Sequence, residues 1–277
     1  MALELLILGS GTSAGVPMIG CECPVCTSTD PRDQRSRPSA LVRYNDAADP
    51  SLRRQILIDT APDLRVQSLR NRVNRLDSVC FTHAHFDHIF GLDDLRRFNA
   101  VMHQPIDIYA EPATMKIIQE KFAYIFDRST NLNNTFIASL VPYELTAGTA
   151  IDLFGARWTP VRLMHGRLPI VGFRVDLAGH SLAYCTDVSS FPDESLLMLR
   201  DLDVLVIDGL RHTPHPTHQT VERALTVIEM LKPRRAYLTH IAHDIMHSEL
   251  EPRLPEHVYL ATDGLTISCG DGTMLHG

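Results

Sequence analysis

Residues 83 to 88 read His-Ala-His-Phe-Asp-His. Three imidazoles and a carboxylate thus crowd into one stretch, directly after the apolar run Val79-Cys80-Phe81. Imidazole nitrogens and carboxylate oxygens are the usual ligands of zinc and similar divalent ions, so His83, His85, Asp87 and His88 are candidate metal ligands. If the apolar run is a strand, the cluster begins where the strand stops, and one loop can serve two adjacent ions. The bland alternative is a set of solvent-facing loop residues. Four ligand-type side chains in six positions, from a chain with 14 His in 277 residues, argue against it.

A second constellation is Gly20-Cys21-Glu22-Cys23-Pro24-Val25-Cys26. Thiols at such spacings can face one tetrahedral cation, and a closed structural zinc needs a fourth ligand. The alternative is a loop of free thiols. Cys80, Cys185 and Cys269 stand alone in apolar surroundings, so a reducing compartment with a metal clip fits the cysteines better than a disulfide framework.

The elements that must position these groups are short apolar runs, each ending in an acid or a histidine. They are Gln55 to Ile58 before Asp59, Val79 to Thr82 before His83, Leu182 to Thr186 before Asp187, Val204 to Ile207 before Asp208, and Ala236 to Thr239 before His240. Continuous apolar runs of this length suit strands buried on both faces, and the polar ends imply one shared rim. Met1 to Leu8 reads as a further strand. Between the runs lie helical stretches such as Thr220 to Leu231, where Val221, Leu225, Ile228 and Leu231 recur at helical spacing and Pro233 marks the end. Asn45 to Arg53 and Asp127 to Asn134 read as surface loops.

The chain carries 44% hydrophobic and 21% charged residues, the balance of an ordinary soluble globular protein. Its length allows one large α/β domain, and no linker divides it, so residues 1–277 are expected to form a single domain. A net charge of −7 argues against a general nucleic-acid binder, and no DNA partner is expected. No basic segment precedes the first apolar run, and no stretch approaches the roughly 20 apolar residues of a membrane helix. A cytoplasmic location is therefore expected.

The His-Ala-His-Phe-Asp-His segment resembles the His-x-His-x-Asp-His signature of the metallo-β-lactamase superfamily, with every motif position matched. His165, Asp187 and His240 follow in the family's order. The resemblance implies an αββα sandwich in which His83, His85 and His165 hold one metal, Asp87, His88 and His240 hold a second, and Asp187 bridges them. Asp59 resembles the family's supporting acid, which orients a ligand imidazole by accepting its distal N–H; a strand-end cap is its other reading. The segment Thr239-His240-Ile241-Ala242-His243-Asp244 is similar to one in the phosphodiesterase branch of the superfamily, the branch of the phosphoribosyl 1,2-cyclic phosphate phosphodiesterases. There the second histidine completes a Cys-Cys-Cys-His zinc, which makes His243 the partner of Cys21, Cys23 and Cys26. In the same branch a histidine at the place of His218 lies beside the metals as catalytic acid or phosphate contact. His215 competes for that role, while His103, His180 and His212 are decoys.

The resemblance implies a binuclear hydrolase, with zinc or manganese ions, that cleaves a small cyclic phosphodiester such as a ribose cyclic phosphate or a nucleotide. By the same resemblance a hydroxide shared by the metals would attack, His218 would protonate the leaving oxygen or steady the phosphate charge, and Asp87 would be a metal ligand that also holds the nucleophile. The rivals are an RNA-processing endonuclease of the same superfamily, disfavoured by the absence of a basic arm, a thioester or lactam hydrolase, and a non-catalytic nucleotide-binding or metal-sensing protein. Arg37, Tyr124, Arg167 and Arg211 are candidates for substrate contacts, and a homodimer is expected. Gly9-Ser10-Gly11-Thr12-Ser13-Ala14 fits the dinucleotide fingerprint formally. With Pro17 following, a tight turn whose N–H groups face substrate phosphate is the preferred use.

Overall fold

The computed structural model describes residues 3–127, 129, 131–133 and 135–270, and the backbone of 274–275. Met1 and Ala2 of the expected first strand, and residues 128, 130 and 134 of the expected loop at Asp127 to Asn134, lie outside the described residues.

The strands in chain order are β1 (Leu3–Gly9), β2 (Ser39–Asn45), β3 (Arg53–Ile58), β4 (Ser78–Cys80), β5 (Ile106–Ala110), β6 (Leu140–Glu144), β7 (Ile151–Leu153), β8 (Ala156–His165), β9 (Leu168–Leu177), β10 (His180–Cys185), β11 (Val204–Asp208), β12 (Arg235–Thr239), β13 (Val258–Leu260), β14 (Thr266–Cys269) and β15 (Met274–Leu275). Among the described residues they form an 8-stranded sheet, β15-β14-β1-β2-β3-β4-β5-β6, and a 7-stranded sheet, β13-β12-β11-β10-β9-β8-β7. Strands β3 to β6 are parallel, as are β10 to β13. Every residue of β11 is buried, the behaviour expected of a strand covered on both faces.

The facing sheet surfaces bury Leu5, Ile7, Val42, Ile56, Ile58, Trp158, Phe173, Tyr184, Val206 and Tyr237 in a common core. Trp158 Nε1 donates to the Tyr44 hydroxyl at 3.1 Å, and that hydroxyl donates to the Leu153 carbonyl at 2.7 Å. The polar ends of two large rings are thereby satisfied inside the core. The outer face of the first sheet carries α1 (Leu64–Arg70), α2 (Phe86–Ile89), α3 (Leu95–Met102), α4 (Pro112–Lys121) and α5 (Ala123–Phe126). The outer face of the second carries α6 (Asp193–Met198), α7 (Val221–Leu231) and α8 (His247–Leu250). The result is the four-layer αββα sandwich.

Helix α7 starts where the sequence predicts. Thr220 caps it, its Oγ1 accepting from Arg223 N at 3.3 Å, and Lys232 ends it in the left-handed region at φ 49. Its buried stripe is Val221, Ala224, Ile228 and Leu231, and each large apolar side chain stabilises this packing by about 1.5–3 kcal/mol. Strand β4 is shorter than expected, because the Thr82 N–H leaves the ladder and donates to Asp59 Oδ1 at 2.8 Å.

The glycine-rich turn after β1 corrects one expectation. Three of its N–H groups are spent inside the protein: Ser10 donates to Asp263 Oδ1 at 2.9 Å, Gly11 to the Ser36 carbonyl at 2.9 Å, and Thr12 to the Ile241 carbonyl at 3.3 Å. They are therefore committed contacts between segments and do not cradle a phosphate. A Cβ on Gly9 would overlap the Arg37 carbonyl, so close backbone approach explains that glycine.

Candidate metal centre

The C-terminal ends of β3, β4, β10, β11 and β12 converge on one rim, and β8 runs in the same direction and delivers His165 there. Three rim residues adopt left-handed backbone conformations that are uncommon outside glycine: Asp59 (φ 62), Asp187 (φ 57) and His240 (φ 61). Such strain clusters at functional sites.

All seven residues expected to hold the two metals meet at this rim. His83, His85 and His165 form one group of ligand atoms lying within 4.8 Å of one another; His83, His88 and Asp187 form a second, and Asp87, Asp187 and His240 a third. His83 Nε2 and His85 Nδ1 face each other at 3.0 Å. His165 Nδ1 donates to the Asp187 carbonyl at 2.8 Å, which turns its Nε2 inward. Asp59 lies under the cluster and accepts from His88 Nδ1 at 2.7 Å and from Thr82 Oγ1 at 2.8 Å. This is the orienting contact that the resemblance implied.

The electrostatics favour a cation. Burial lowers the pKa of His83, His85, His165 and His240, which favours their neutral, metal-binding form. At His88, by contrast, the carboxylates of Asp187, Asp87 and Asp59 overcome burial and raise the pKa well above the usual value, so this imidazole must give up a proton to bind a cation. For Asp187 burial opposes ionisation, but His240 and His88 outweigh it and hold the carboxyl well below the usual range. His88 Nε2 stands 3.3 Å from Asp87 and 3.2 Å from Asp187. Yet the fully buried Nε2 atoms of His88 and His240 have no hydrogen-bond partner among the described residues. Unpartnered buried imidazole nitrogens beside two carboxylates fit divalent ions.

His218 also reaches the rim. Its ring centroid lies 4.7 Å from those of His165 and His240, and its Nδ1 contacts Asp208 Oδ2 at 2.6 Å. Asp208 is wholly buried, and burial pushes its pKa well up, against the pull of His240. In the sequence Asp208 stands at a strand end with nothing to link it to His218. A buried acid ending a run beside other ligand-bearing runs was the available signal. His215 sits 5.0 Å from His218 and farther out.

The decoys lie elsewhere: His180 pairs with Asp203 at 3.3 Å, His212 with Glu222 at 2.6 Å, and His103 caps α3. Among the candidate substrate contacts, Tyr124 donates to Asp93 at 2.8 Å, Arg211 donates to the carbonyls of Thr213 and Pro214, Arg167 is exposed, and Arg37 stands at the rim beside Phe86.

The cysteine loop meets its expected partner. Sγ of Cys21, Cys23 and Cys26 lie 3.2, 3.4 and 3.7 Å from His243 Nδ1, and the four form one metal-capable group. All six cysteines are free thiols. A hydrogen bond from the Cys26 backbone lowers the Cys23 pKa to about 6, while burial raises Cys26 to about 11. Beside this cluster a buried pair went unread in the sequence. Arg35 Nη2 meets Asp33 Oδ1 at 2.8 Å, each side chain 1% exposed, and Arg35 also donates to the Ala242 and Ile245 carbonyls.

Among the described residues no helix is long and apolar enough to cross a membrane. Residues 54–241 match the Beta-lactamase superfamily domain. The chain is similar in structure to a crystallised diphosphatase from the PhnP family, with 42% identity, a TM-score of 0.85, and 96% of this chain and 97% of that chain covered. It resembles zinc-bound PqqB from Methylobacterium extorquens in fold, with 19% identity, a TM-score of 0.73, and 95% and 99% of the two chains covered. It is 37% identical over 265 residues to a protein from Porphyromonas gingivalis named octanoyltransferase; the match takes in 95% of this chain but spans only 51% of that relative. The chain thus belongs to the metallo-β-lactamase superfamily, in its PhnP-like branch, and is a metal-dependent hydrolase.

Proposed function

We propose that this protein hydrolyses a small phosphodiester, such as a ribose cyclic phosphate, with two divalent ions held by His83, His85, His165, Asp187, Asp87, His88 and His240. A third ion, zinc, belongs to Cys21, Cys23, Cys26 and His243. The observation that carries the reading is the Asp208–His218 pair beside the seven-residue cluster. When bound, the ions supply positive charge at the phosphoryl oxygens and lower the pKa of water.

The chain's own residues do the rest. Asp59 fixes the His88 tautomer by accepting from its Nδ1, and the Asp187 carbonyl fixes His165 in the same way. Asp208 holds His218 Nδ1, so the proton that moves is the one on Nε2. Burial lowers the His218 pKa, which makes its imidazolium a stronger acid toward a departing sugar oxygen though the scarcer form at neutral pH. Asp87, buried beside His88, binds metal and orients the attacking water.

A second reading, hydrolysis of a diphosphate, is favoured by the 42% identity to a PhnP-family diphosphatase. The leaving groups separate the two. A sugar alkoxide needs a proton from His218, whereas a phosphate leaves without one. Zinc- or manganese-loaded protein is expected to hydrolyse bis(p-nitrophenyl) phosphate and a ribose cyclic phosphate. His218→Gln should cost about 10²–10⁴ in rate on the sugar ester and far less on the nitrophenyl ester. Cleavage of a diphosphate alone would select the second reading, and inertness toward all three would refute both.

A further inference from the structure

The outer face of the first sheet carries a cleft that shares no residue with the metal cluster. It lies between α1 and α3 and has a volume of about 510 Å³, within the size range of small-molecule sites. Its apolar lining is Leu64, Leu69, Val73, Phe98 and Val101. Leu64, Val73 and Phe98 are buried, whereas Leu69 is 64% and Val101 49% exposed. Scattered exposed apolar residues need no explanation, but two that flank a concave apolar floor mark a binding surface.

The charged groups of the lining are mostly cationic. Arg65, Arg96 and Arg97 border the cleft, and of these only Arg96 has a carboxylate partner, Asp93 at 3.4 Å. The guanidiniums of Arg65 and Arg97 meet no acceptor among the described residues. Free arginines gathered at one cleft run against the sign of a chain whose net charge is −7. Ser68, only 8% exposed, lines the same cleft, and its buried hydroxyl has no partner among the described residues. A helical serine ordinarily turns that group to a carbonyl of the preceding turn, so a lone hydroxyl in the wall of a cleft points to a polar partner that the cleft admits.

The occupant is narrowed by size and charge. Helices α1 and α3 have 7 and 8 residues, so the cleft runs for only about 10–12 Å, which suits a small molecule better than a partner helix. Two free guanidiniums call for an anion, and their planar forks match the two oxygens of a carboxylate. Asp94 also lines the cleft and disfavours a doubly charged phosphate beside it. We infer that this cleft binds an apolar monocarboxylate, with its body on Val73 and Phe98 and its head between Arg65 and Arg97. The site is independent of the reaction proposed for the rim.

The probe is 4-phenylbutyrate, titrated into zinc-loaded, isotopically labelled protein and followed by NMR. It should bind with a Kd of about 0.1–2 mM, the range for a ligand of its size, and shift the amides of residues 64–74 and 94–102. 4-Phenylbutanamide keeps the apolar body without the charge, and butyrate keeps the charge without the ring. Each should bind at least about fivefold more weakly. Arg65→Gln with Arg97→Gln should weaken 4-phenylbutyrate about tenfold, and Val101→Trp, at an exposed helix position, should fill the cleft and block binding while the thermal midpoint holds. Shifts confined to the rim would show capture of the carboxylate by the zinc ions and overturn the site. Wild-type affinity in both variants would do the same, as would equal binding of the amide or no binding at about 10 mM probe.

Discussion

The two metal-capable regions are built in opposite ways. At the rim, His83, His165, Asp187 and His240 each arrive at the end of a different strand, and the sheets fix their positions. In the cysteine cluster, three of the four groups come from one loop, and only His243 comes from elsewhere. The rim is a site that the fold holds ready for its ions. On the proposed reading, the thiol cluster is a site whose ion would hold part of the fold. Removing a rim ligand should therefore silence chemistry and spare the fold, and removing a thiol should do nearly the reverse.

The largest effect expected is that of Asp187→Ala, which should abolish hydrolysis while circular dichroism and the thermal midpoint stay close to wild type. Unfolding of this variant would break the contrast. Asp59→Asn should lower metal affinity or turnover by about 10–100-fold, read by titration of zinc into the apoprotein, because the His88 imidazole loses its orienting acceptor. Cys23→Ser should remove one equivalent of zinc in metal analysis and expose the 12–34 segment to limited proteolysis, with most of the turnover retained.

Arg35→Ala sharpens the same comparison, since the buried Arg35–Asp33 pair ties the cysteine loop to the segment after His240 without a metal. It should destabilise by about 3–5 kcal/mol in denaturant melts, because Asp33 is left buried and uncompensated. The paired change Arg35→Met with Asp33→Leu should recover only part of that loss, because the His247 N–H and the Ala242 and Ile245 carbonyls lose their partners with the pair. The last effect concerns His247, whose pKa burial lowers to about 4, with Arg32 and Arg35 adding to the shift. Between that value and an unfolded value of about 6.5 the unfolded chain binds the extra proton, so stability falls as pH drops through the window, by up to about 3 kcal/mol. His247→Gln should flatten this slope in melts between pH 7 and pH 4.

Much of this site is readable along the chain, for identifiable reasons. The parallel strands are covered on both faces, so Gln55 to Ile58, Val204 to Ile207 and Ala236 to Thr239 stand out as unbroken apolar runs, and the polar residue that ends each one is conspicuous. Pairings across the chain are harder to read. Asp208 resembles any other strand-end acid until the fold brings His218 onto it. Arg35 and Asp33 look like ordinary loop charges, because burial of an ion pair leaves no periodic trace. The glycine turn reads as an anion cradle because sequence shows which N–H groups exist but not which carbonyls claim them.

The left-handed backbone at Asp59, Asp187 and His240 governs which replacements those positions accept. Aspartate and asparagine tolerate that conformation far better than longer or β-branched residues. Asparagine at 59 or 187 thus keeps the bend but removes the charge and turns one acceptor oxygen into an N–H donor, while glutamate keeps the carboxylate and loses the bend, so the two substitutions separate carboxylate chemistry from backbone geometry at one residue.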